Sequence, residues 1–149
     1  MTKETIYFQD ALIKRILGKT GENINIEAPF HCDYGYNIEV GENFFANYNL
    51  IVLDVGKVRI GNNAQIAPNV AIYTAGHPVH PDSRNSGYEY GIDITIGDNV
   101  WISGNTCIMP GVTIGNKLEK NSAFIENWLF RCSIDTEGFP GAVPCLRTN

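Results

Sequence analysis

The chain has 149 residues, of which 44% are hydrophobic and 18% are charged, and its formal net charge is −5. This composition indicates one globular domain, and the negative charge argues against a nucleic-acid partner. No apolar run approaches the ~20 residues that a membrane-spanning helix needs, and the first ten residues lack the apolar core of a signal peptide. The four cysteines form no CxxC pair, so we expect reduced thiols and a cytoplasmic location.

The N-terminal segment has a helical pattern from Ile6 to Leu17. Its apolar residues recur at roughly helical spacing, and two glycines follow as stop signals: Ala11, Leu12, Ile16 and Leu17, then Gly18 and Gly21. The next ninety or so residues are rich in Val, Ile, Asn and Gly, which is a β composition. We therefore expect one short helix followed by an all-β domain.

A six-residue repeat dominates this β region. Aliphatic residues recur every six positions in two series: Ile60, Ile66 and Ile72, then Ile96, Ile102, Ile108 and Ile114. A period of six matches neither a helix nor an alternating strand. It matches a triangular coil in which each face holds one hexapeptide and each aliphatic points inward, with Gly and Asn at the corners. The repeat predicts a parallel β-helix, and the alternative, a sandwich of short strands, would have less evenly spaced turns.

Two departures from the period are visible. An upstream aliphatic series that ends at Val58 keeps the spacing but is two residues out of step with Ile60, so we expect an irregular corner there. Between Ile72 and Ile96 the chain is polar, contains Pro and Gly, and has few residues suited to the interior. We expect this segment to leave the coil as an extended loop, which is a common location for site residues.

Several motifs resemble one family residue for residue. The stretches TAGHPVHP, RNSG, PFHCDYGYNIEVGENFFANYN and VTIG are similar to those of the maltose and galactoside O-acetyltransferases, which are hexapeptide-repeat acyltransferases. The resemblance covers residues from about 10 to 116. It implies a left-handed coil, a handedness that the period cannot give because right-handed crossovers are the general rule. It also implies a homotrimer with active sites between neighbouring subunits.

The resemblance also implies an acetyl transfer reaction and assigns residues to it. His77 matches the catalytic histidine, which would deprotonate a sugar hydroxyl for attack on acetyl-CoA, and histidine suits general-base work near neutral pH. Asp33 and Asn47 match acceptor-binding positions, although both residue types are also common in turns. Trp101 matches a tryptophan along the CoA site. Gly104 matches a position whose backbone N–H faces the thioester, in a segment (WISGN) that is permuted relative to the commoner WIGSN-like form.

A metal site is an alternative use of the same fold. In the trimeric carbonic anhydrases, which share the β-helix, three histidines bind a metal between subunits, and this chain has three histidines: His31, His77 and His80. The paired histidines of that family are five residues apart, whereas His77 and His80 are three apart, and metal ligation depends on fixed ligand geometry. We therefore expect no metal.

Both ends depart from the family pattern. The resemblance implies a shortened N-terminus, because relatives carry a further helical segment with acceptor-pocket residues. At the other end the column of aliphatics stops after Ile114, and Lys120 stands where the next one is expected. With permitted codon choices, a coding sequence for residues 128–144 that is read one nucleotide out of frame encodes a different segment. That segment resembles the CoA-closing C-terminus of the family. We interpret this tail as frameshifted, and a native divergent tail is the alternative.

These observations divide the chain into an N-terminal helical segment (1–21), a left-handed β-helix acyltransferase domain (22–116) and an atypical C-terminal tail (117–149). The expected function is acetyl-CoA-dependent transfer of an acetyl group to a sugar hydroxyl, in a homotrimer without nucleic-acid or membrane partners. A non-catalytic trimeric binding or scaffold protein is the alternative, because the CoA-closing segment is altered.

Overall fold

The computed structural model describes residues 11–116 of the chain. Residues 11–16 are helical and are called α1 here; a second short helix, α2, spans Pro81–Asn85. The strands are β1 (Ile24–Ile26), β2 (Phe30–Cys32), β3 (Ile38–Val40), β4 (Phe44–Ala46), β5 (Leu50–Leu53), β6 (Val58–Ile60), β7 (Gln65–Ile66), β8 (Ala71–Tyr73), β9 (Ala75–Gly76), β10 (Tyr90–Gly91), β11 (Ile94–Ile96), β12 (Trp101–Ile102), β13 (Cys107–Ile108) and β14 (Thr113–Ile114).

The strands form three parallel sheets that the chain visits in rotation. The sheet orders are β1-β4-β7-β12, β2-β5-β8-β13 and β3-β6-β11-β14, and β9 and β10 form a separate antiparallel pair. Each turn of the coil therefore adds one short parallel strand to each of three faces. This is the parallel β-helix that the hexapeptide repeat predicts.

The pairing register explains both departures from the six-residue period. Val40 pairs with Ile60, Ile60 with Ile96, and Ile96 with Ile114, which are steps of 20, 36 and 18 residues. Eighteen residues are three hexapeptides. The 20-residue coils have two additional residues at the corner after β5, and the 36-residue step contains the loop that begins after β8. The predicted irregular corner and extended loop are both confirmed.

A continuous apolar column fills the interior of the coil. Its members are at most 5% exposed and come from all three faces: Val40, Ala46, Val52, Ile60, Ile66, Ile72, Ile96, Ile102 and Ile108. Ile114, on the last described strand, is only partly buried. Residues on either side of each inward aliphatic are more exposed, so the outer surface of the coil is where polar and aromatic side chains are presented.

Asparagines form two of the corners. Six of them have φ angles between 54° and 62°: Asn43, Asn49, Asn63, Asn69, Asn99 and Asn105. Asparagine tolerates this left-handed conformation better than most residues with a Cβ. The amides also stack, because Asn43 Nδ2 donates to Asn63 Oδ1 at 2.9 Å and Asn63 Nδ2 donates to Asn99 Oδ1 at 3.1 Å. The corner asparagines thus supply both a backbone conformation and a hydrogen-bonded ladder between coils.

Two substitutions at Asn63 separate these contributions. Asn63→Ala loses the ladder and also places alanine at positive φ, so we expect it to lower the free energy of unfolding by about 1–3 kcal/mol. Asn63→Gly loses the same hydrogen bonds but accepts the positive φ, so it should be less destabilising. Urea denaturation of both variants measures the difference. Equal destabilisation by alanine and glycine would contradict the conformational role.

The N-terminal helix packs against the apolar core of the coil. Ile13 and Leu17 are buried against it, each 6% exposed, whereas Leu12 and Ile16 face outward. The expected helix is confirmed over residues 11–16, although its buried face consists of Ile13 and Leu17 rather than every apolar residue of the pattern. No helix within residues 11–116 has the length and apolar character needed to cross a membrane. The predicted tail, residues 117–149, and residues 1–10 lie outside the described residues.

Candidate active site

The loop after β8 folds back on itself and brings its two ends together. Tyr90 pairs with Gly76 and Gly91 with Ala75, in the antiparallel arrangement of β9 and β10. The Tyr90 ring lies over Gly76, where a Cβ atom would come within 2.7 Å of it. His77 directly follows β9, so the residues that lead into β10 lie beside its imidazole.

Two groups just before β10 fix the chemistry of His77. Its Nδ1 lies 3.0 Å from the backbone carbonyl oxygen of Tyr88. A carbonyl oxygen can only accept, so Nδ1 carries the proton and Nε2 of the neutral ring keeps its lone pair. Nε2 lies 3.9 Å from Oε1 of Glu89. The imidazole is 54% exposed, so this arrangement offers an accessible base whose protonated form is next to a carboxylate.

Glu89 is a functional candidate that sequence reasoning missed. It belongs to no motif, and it is twelve positions from His77 in a polar loop. Only the pairing of β9 with β10, two residues on each side, brings it close. A pairing this short has no hydrophobic alternation to reveal it, since neither Tyr90 nor Gly91 is buried.

The return of the loop to the coil is anchored by a second carboxylate. Asp93 Oδ1 accepts the backbone N–H of Lys57 at 2.9 Å, and Oδ2 lies 3.1 Å from the Arg59 guanidinium. The Lys57 N–H and the Arg59 side chain hold the pKa of Asp93 below its usual value despite partial desolvation. The loop that carries His77 therefore ends at a fixed point on β6.

Asp33 lies at the same corner of the coil as the His77 loop. It follows β2, and its side chain is exposed. The register of β2, β5 and β8 aligns Asp33 with Leu53 and Tyr73, so Asp33 is at the end of the sheet from which the His77 loop departs. Burial, together with the charges of Asp54 and Asp33, raises the pKa of the Cys32 thiol, which is therefore a neutral neighbour and a poor nucleophile.

The other three candidates lie at a different corner. Asn47 follows β4 and is half-buried, and its Oδ1 accepts the N–H of Tyr48 at 2.8 Å. Gly104 is on the corresponding turn two coils further along, where a Cβ would lie 3.1 Å from the Pro68 carbonyl oxygen. Trp101 is half-buried on β12, at a position that alternates with an inward-facing residue. A side chain at position 104 would therefore be tightly packed against the preceding coil.

The five predicted residues do not lie close together within one chain. The sheet β2-β5-β8-β13 separates the corner with His77 and Asp33 from the corner with Asn47, Trp101 and Gly104. From Asn47 to the end of β5 is six residues, which at ~3.3 Å per residue span at most about 20 Å. A single catalytic centre that uses both groups needs corners from two chains.

The histidines do not gather into a metal site. His31 is exposed on β2, and His80 Nδ1 lies 3.9 Å from Oδ2 of Asp82 in the loop. Within residues 11–116, no three or more His, Cys, Asp or Glu side chains are close enough together to hold a metal ion.

Comparison with known proteins places these features in a family context. Galactoside O-acetyltransferase of Escherichia coli (strain K12) is 42% identical over 137 residues, which are 92% of this chain and 66% of the relative. The structure of a maltose O-acetyltransferase from Clostridium difficile 630 matches with a TM-score of 0.75 and 52% identity, covering 77% of this chain and 62% of that one. A galactoside acetyltransferase solved in complex with coenzyme A matches with a TM-score of 0.75 and 45% identity, covering 78% and 58%.

The chain belongs to the maltose and galactoside O-acetyltransferase family of hexapeptide-repeat acyltransferases, and its fold is the left-handed parallel β-helix. The family resemblance and the fold predicted from the sequence are thereby confirmed. The chain spans about half to two thirds of the length of the curated relatives it matches, for example 53% of a Saccharomyces cerevisiae relative that is 57% identical over 104 residues. No family model matches it.

Proposed function

We propose that this protein is an acetyl-CoA-dependent O-acetyltransferase that acts on a sugar hydroxyl of the maltose or galactoside type. The observation that carries the proposal is the state of His77, whose Nδ1 is held by the Tyr88 carbonyl while Nε2 is accessible. Family membership supports the same reaction, because the relatives include O-acetyltransferases and a structure with bound coenzyme A.

In the proposed mechanism, Nε2 of His77 accepts the proton of the sugar hydroxyl as its oxygen attacks the thioester carbon of acetyl-CoA. The resulting imidazolium is stabilised by the nearby Glu89 carboxylate and by the Tyr88 carbonyl. When the tetrahedral intermediate collapses, the C–S bond breaks, and the imidazolium returns its proton to the leaving thiolate. The acetyl group is then an ester on the sugar and His77 is neutral again.

The remaining predicted residues have roles that fit their chemistry. The carboxylate of Asp33 and the amide of Asn47 would orient sugar hydroxyls, since both can hold two hydrogen bonds at once. Trp101 would contact CoA from the outer face of β12. The backbone N–H of Gly104 would stabilise the developing oxyanion, and glycine suits this turn because the Pro68 carbonyl lies close.

The proposal includes a homotrimer in the cytoplasm. The two groups of candidate residues lie at separate corners of one chain, at the two ends of one face. Side-by-side packing of subunits would bring the His77 corner of one chain to the Asn47 corner of the next, with cyclic symmetry closing the ring. Each trimer would then contain equivalent catalytic centres, each built from two chains.

Free thiol release from acetyl-CoA in the presence of maltose, glucose and a galactoside tests the proposal. The expected result is thiol release that depends on one of these sugars and saturates with it. A folded protein that binds these sugars or CoA yet releases no more thiol with any sugar than without would favour a non-catalytic binding or scaffold protein instead.

Glu89 should contribute modestly to turnover. Because it lies 3.9 Å from Nε2 and both side chains are about half exposed, we expect Glu89→Gln to lower kcat only about two- to fivefold. Tyr88→Ala is the matched control, since Tyr88 contacts His77 through its backbone carbonyl, which alanine keeps. Steady-state kinetics compare the two. A larger loss of kcat from Tyr88→Ala than from Glu89→Gln would contradict this assignment.

A further inference from the structure

One charged side chain is completely buried among residues 11–116, and it belongs to Asp54. Three successive backbone N–H groups converge on it. Its Oδ1 accepts those of Asp33 and Tyr34, each at 3.0 Å, and its Oδ2 accepts that of Gly35 at 2.7 Å. The backbone carbonyl of Asp54 also accepts from Asn37 Nδ2 at 2.7 Å. A single residue of the following coil therefore holds the turn of residues 33–37 at both ends.

This clamp differs from the capping that recurs between the coils. At another corner, one side chain of each coil accepts from the coil before it; Glu42 takes two backbone N–H groups, of Glu22 and Asn23, and the other three take one each. The backbone N–H of each residue donates to the side-chain oxygen of the next coil: Glu42 to Asn62 Oδ1, Asn62 to Asp98 Oδ1, and Asp98 to Asn116 Oδ1. Stacking of coils needs no more than one such acceptor at a corner. Asp54 instead places a buried carboxylate under three donors, and hydrogen bonds to an ionised acceptor are the stronger kind.

The clamped turn presents its side chains outward. Its N–H groups point to the interior, while the side chains of Asp33, Tyr34 and Tyr36 are exposed, with the tyrosines 52% and 64% exposed. The two rings lie 5.4 Å apart between centroids at an angle of 43°. Gly35 has φ +80°, and a Cβ there would clash with the Ile16 side chain. The turn is thus fixed from beneath and from the side, and its outer surface carries a carboxylate next to two aromatic rings.

We propose that Asp54 is a positioning residue for the sugar acceptor, which it serves by fixing the turn that carries Asp33. Carboxylates beside exposed aromatic rings suit a pyranose, because hydroxyls take the hydrogen bonds and the C–H face packs on a ring. This inference rests on the proposed function. The two residues assigned to CoA and the thioester, Trp101 and Gly104, lie at the other corner, so the clamp acts on the acceptor side alone.

Kinetics of Asp54→Asn test the inference, using whichever of maltose, glucose or methyl β-galactoside the wild type acetylates fastest. Asparagine keeps one acceptor oxygen but turns a donor toward the N–H of Gly35. We expect KM for the sugar to rise about tenfold, with KM for acetyl-CoA within about twofold and kcat within about threefold of wild type. Asp98→Ala is the matched control, because it removes a carboxylate cap at a corner without predicted site residues. It should lower thermal stability and leave KM for the sugar unchanged.

The KM values for the sugar and for acetyl-CoA decide whether Asp54 has this positioning role. An unchanged sugar KM in Asp54→Asn, or an equal rise in both KM values, overturns the positioning role. If Asp54→Asn does not fold, Gly35→Ala strains the same turn without altering the buried carboxylate and must raise the sugar KM; an unchanged KM there overturns the role as well. A wild type without sugar-dependent turnover overturns the proposed function, and this inference with it.

Discussion

His77→Ala will lower acetyl transfer by about 10²–10⁴-fold, the usual effect of removing a general base. The variant lacks Nε2, the atom proposed to accept the proton of the sugar hydroxyl. The fold should be unaffected, because His77 is 54% exposed and lies in a loop outside the apolar column. Thiol release from acetyl-CoA at saturating sugar measures the loss, and thermal denaturation checks that the variant remains folded.

His80→Ala is the matched control for this experiment. His80 lies three residues further along the same loop, its side chain is 71% exposed, and its nearest charged neighbour is Asp82 at 3.9 Å. We expect its activity to stay close to that of wild type, because no candidate site group contacts it. Activity of His77→Ala within about threefold of wild type, in a folded protein, would exclude His77 as the base.

Co-refolding two impaired variants will restore part of the activity. Asn47→Ala removes an amide from the corner opposite to His77 and should lower activity by about 10–100-fold, the cost of one or two lost hydrogen bonds in the site. If each catalytic centre takes His77 from one subunit and Asn47 from its neighbour, co-refolded His77→Ala and Asn47→Ala chains form intact centres at random. In an equal mixture, about half of the chains have an intact His77 and about half have an intact Asn47. A centre needs both, so about one quarter of the centres are intact and about one quarter of the wild-type activity should return.

The separate variants, refolded alone and then combined without exchange, provide the control for the mixture. They should show no recovery, since each oligomer keeps only one kind of defect. Mixed oligomers no more active than the combined controls would mean that His77 and Asn47 act within the same chain or that Asn47 has no part in the site. Size-exclusion chromatography of the same samples reports whether the chains form trimers.

The fold could be predicted from the sequence because the six-residue spacing follows directly from the packing of the coil interior. Every coil needs an inward aliphatic on each face, and Ile60, Ile66 and Ile72 fulfil it with almost no exposure. The period also revealed its own exceptions, the irregular corner after β5 and the loop after β8, as interruptions of an otherwise regular column. Handedness did not follow from the period and depended on family resemblance.

The surroundings of the candidate site were less predictable. Glu89 reaches His77 only through a two-residue antiparallel pairing, which has no periodic pattern. Asp54 appears in sequence as a polar residue after an apolar strand, where a turn aspartate is expected, and only its complete burial under three N–H groups distinguishes it. The resemblance implied active sites between neighbouring subunits, but the strand register was needed to show that the five predicted site residues lie at two separate corners of one chain.

Transfer of a labelled acetyl group is the most direct test of the account. The protein is incubated with acetyl-CoA labelled in its acetyl group and with maltose, glucose or a galactoside, and the sugar is then examined by mass spectrometry. We predict that the label appears as an ester on the sugar with the wild type and is reduced at least a hundredfold with His77→Ala. Label that is released only as free acetate, or that appears on the sugar equally with both proteins, would contradict the account.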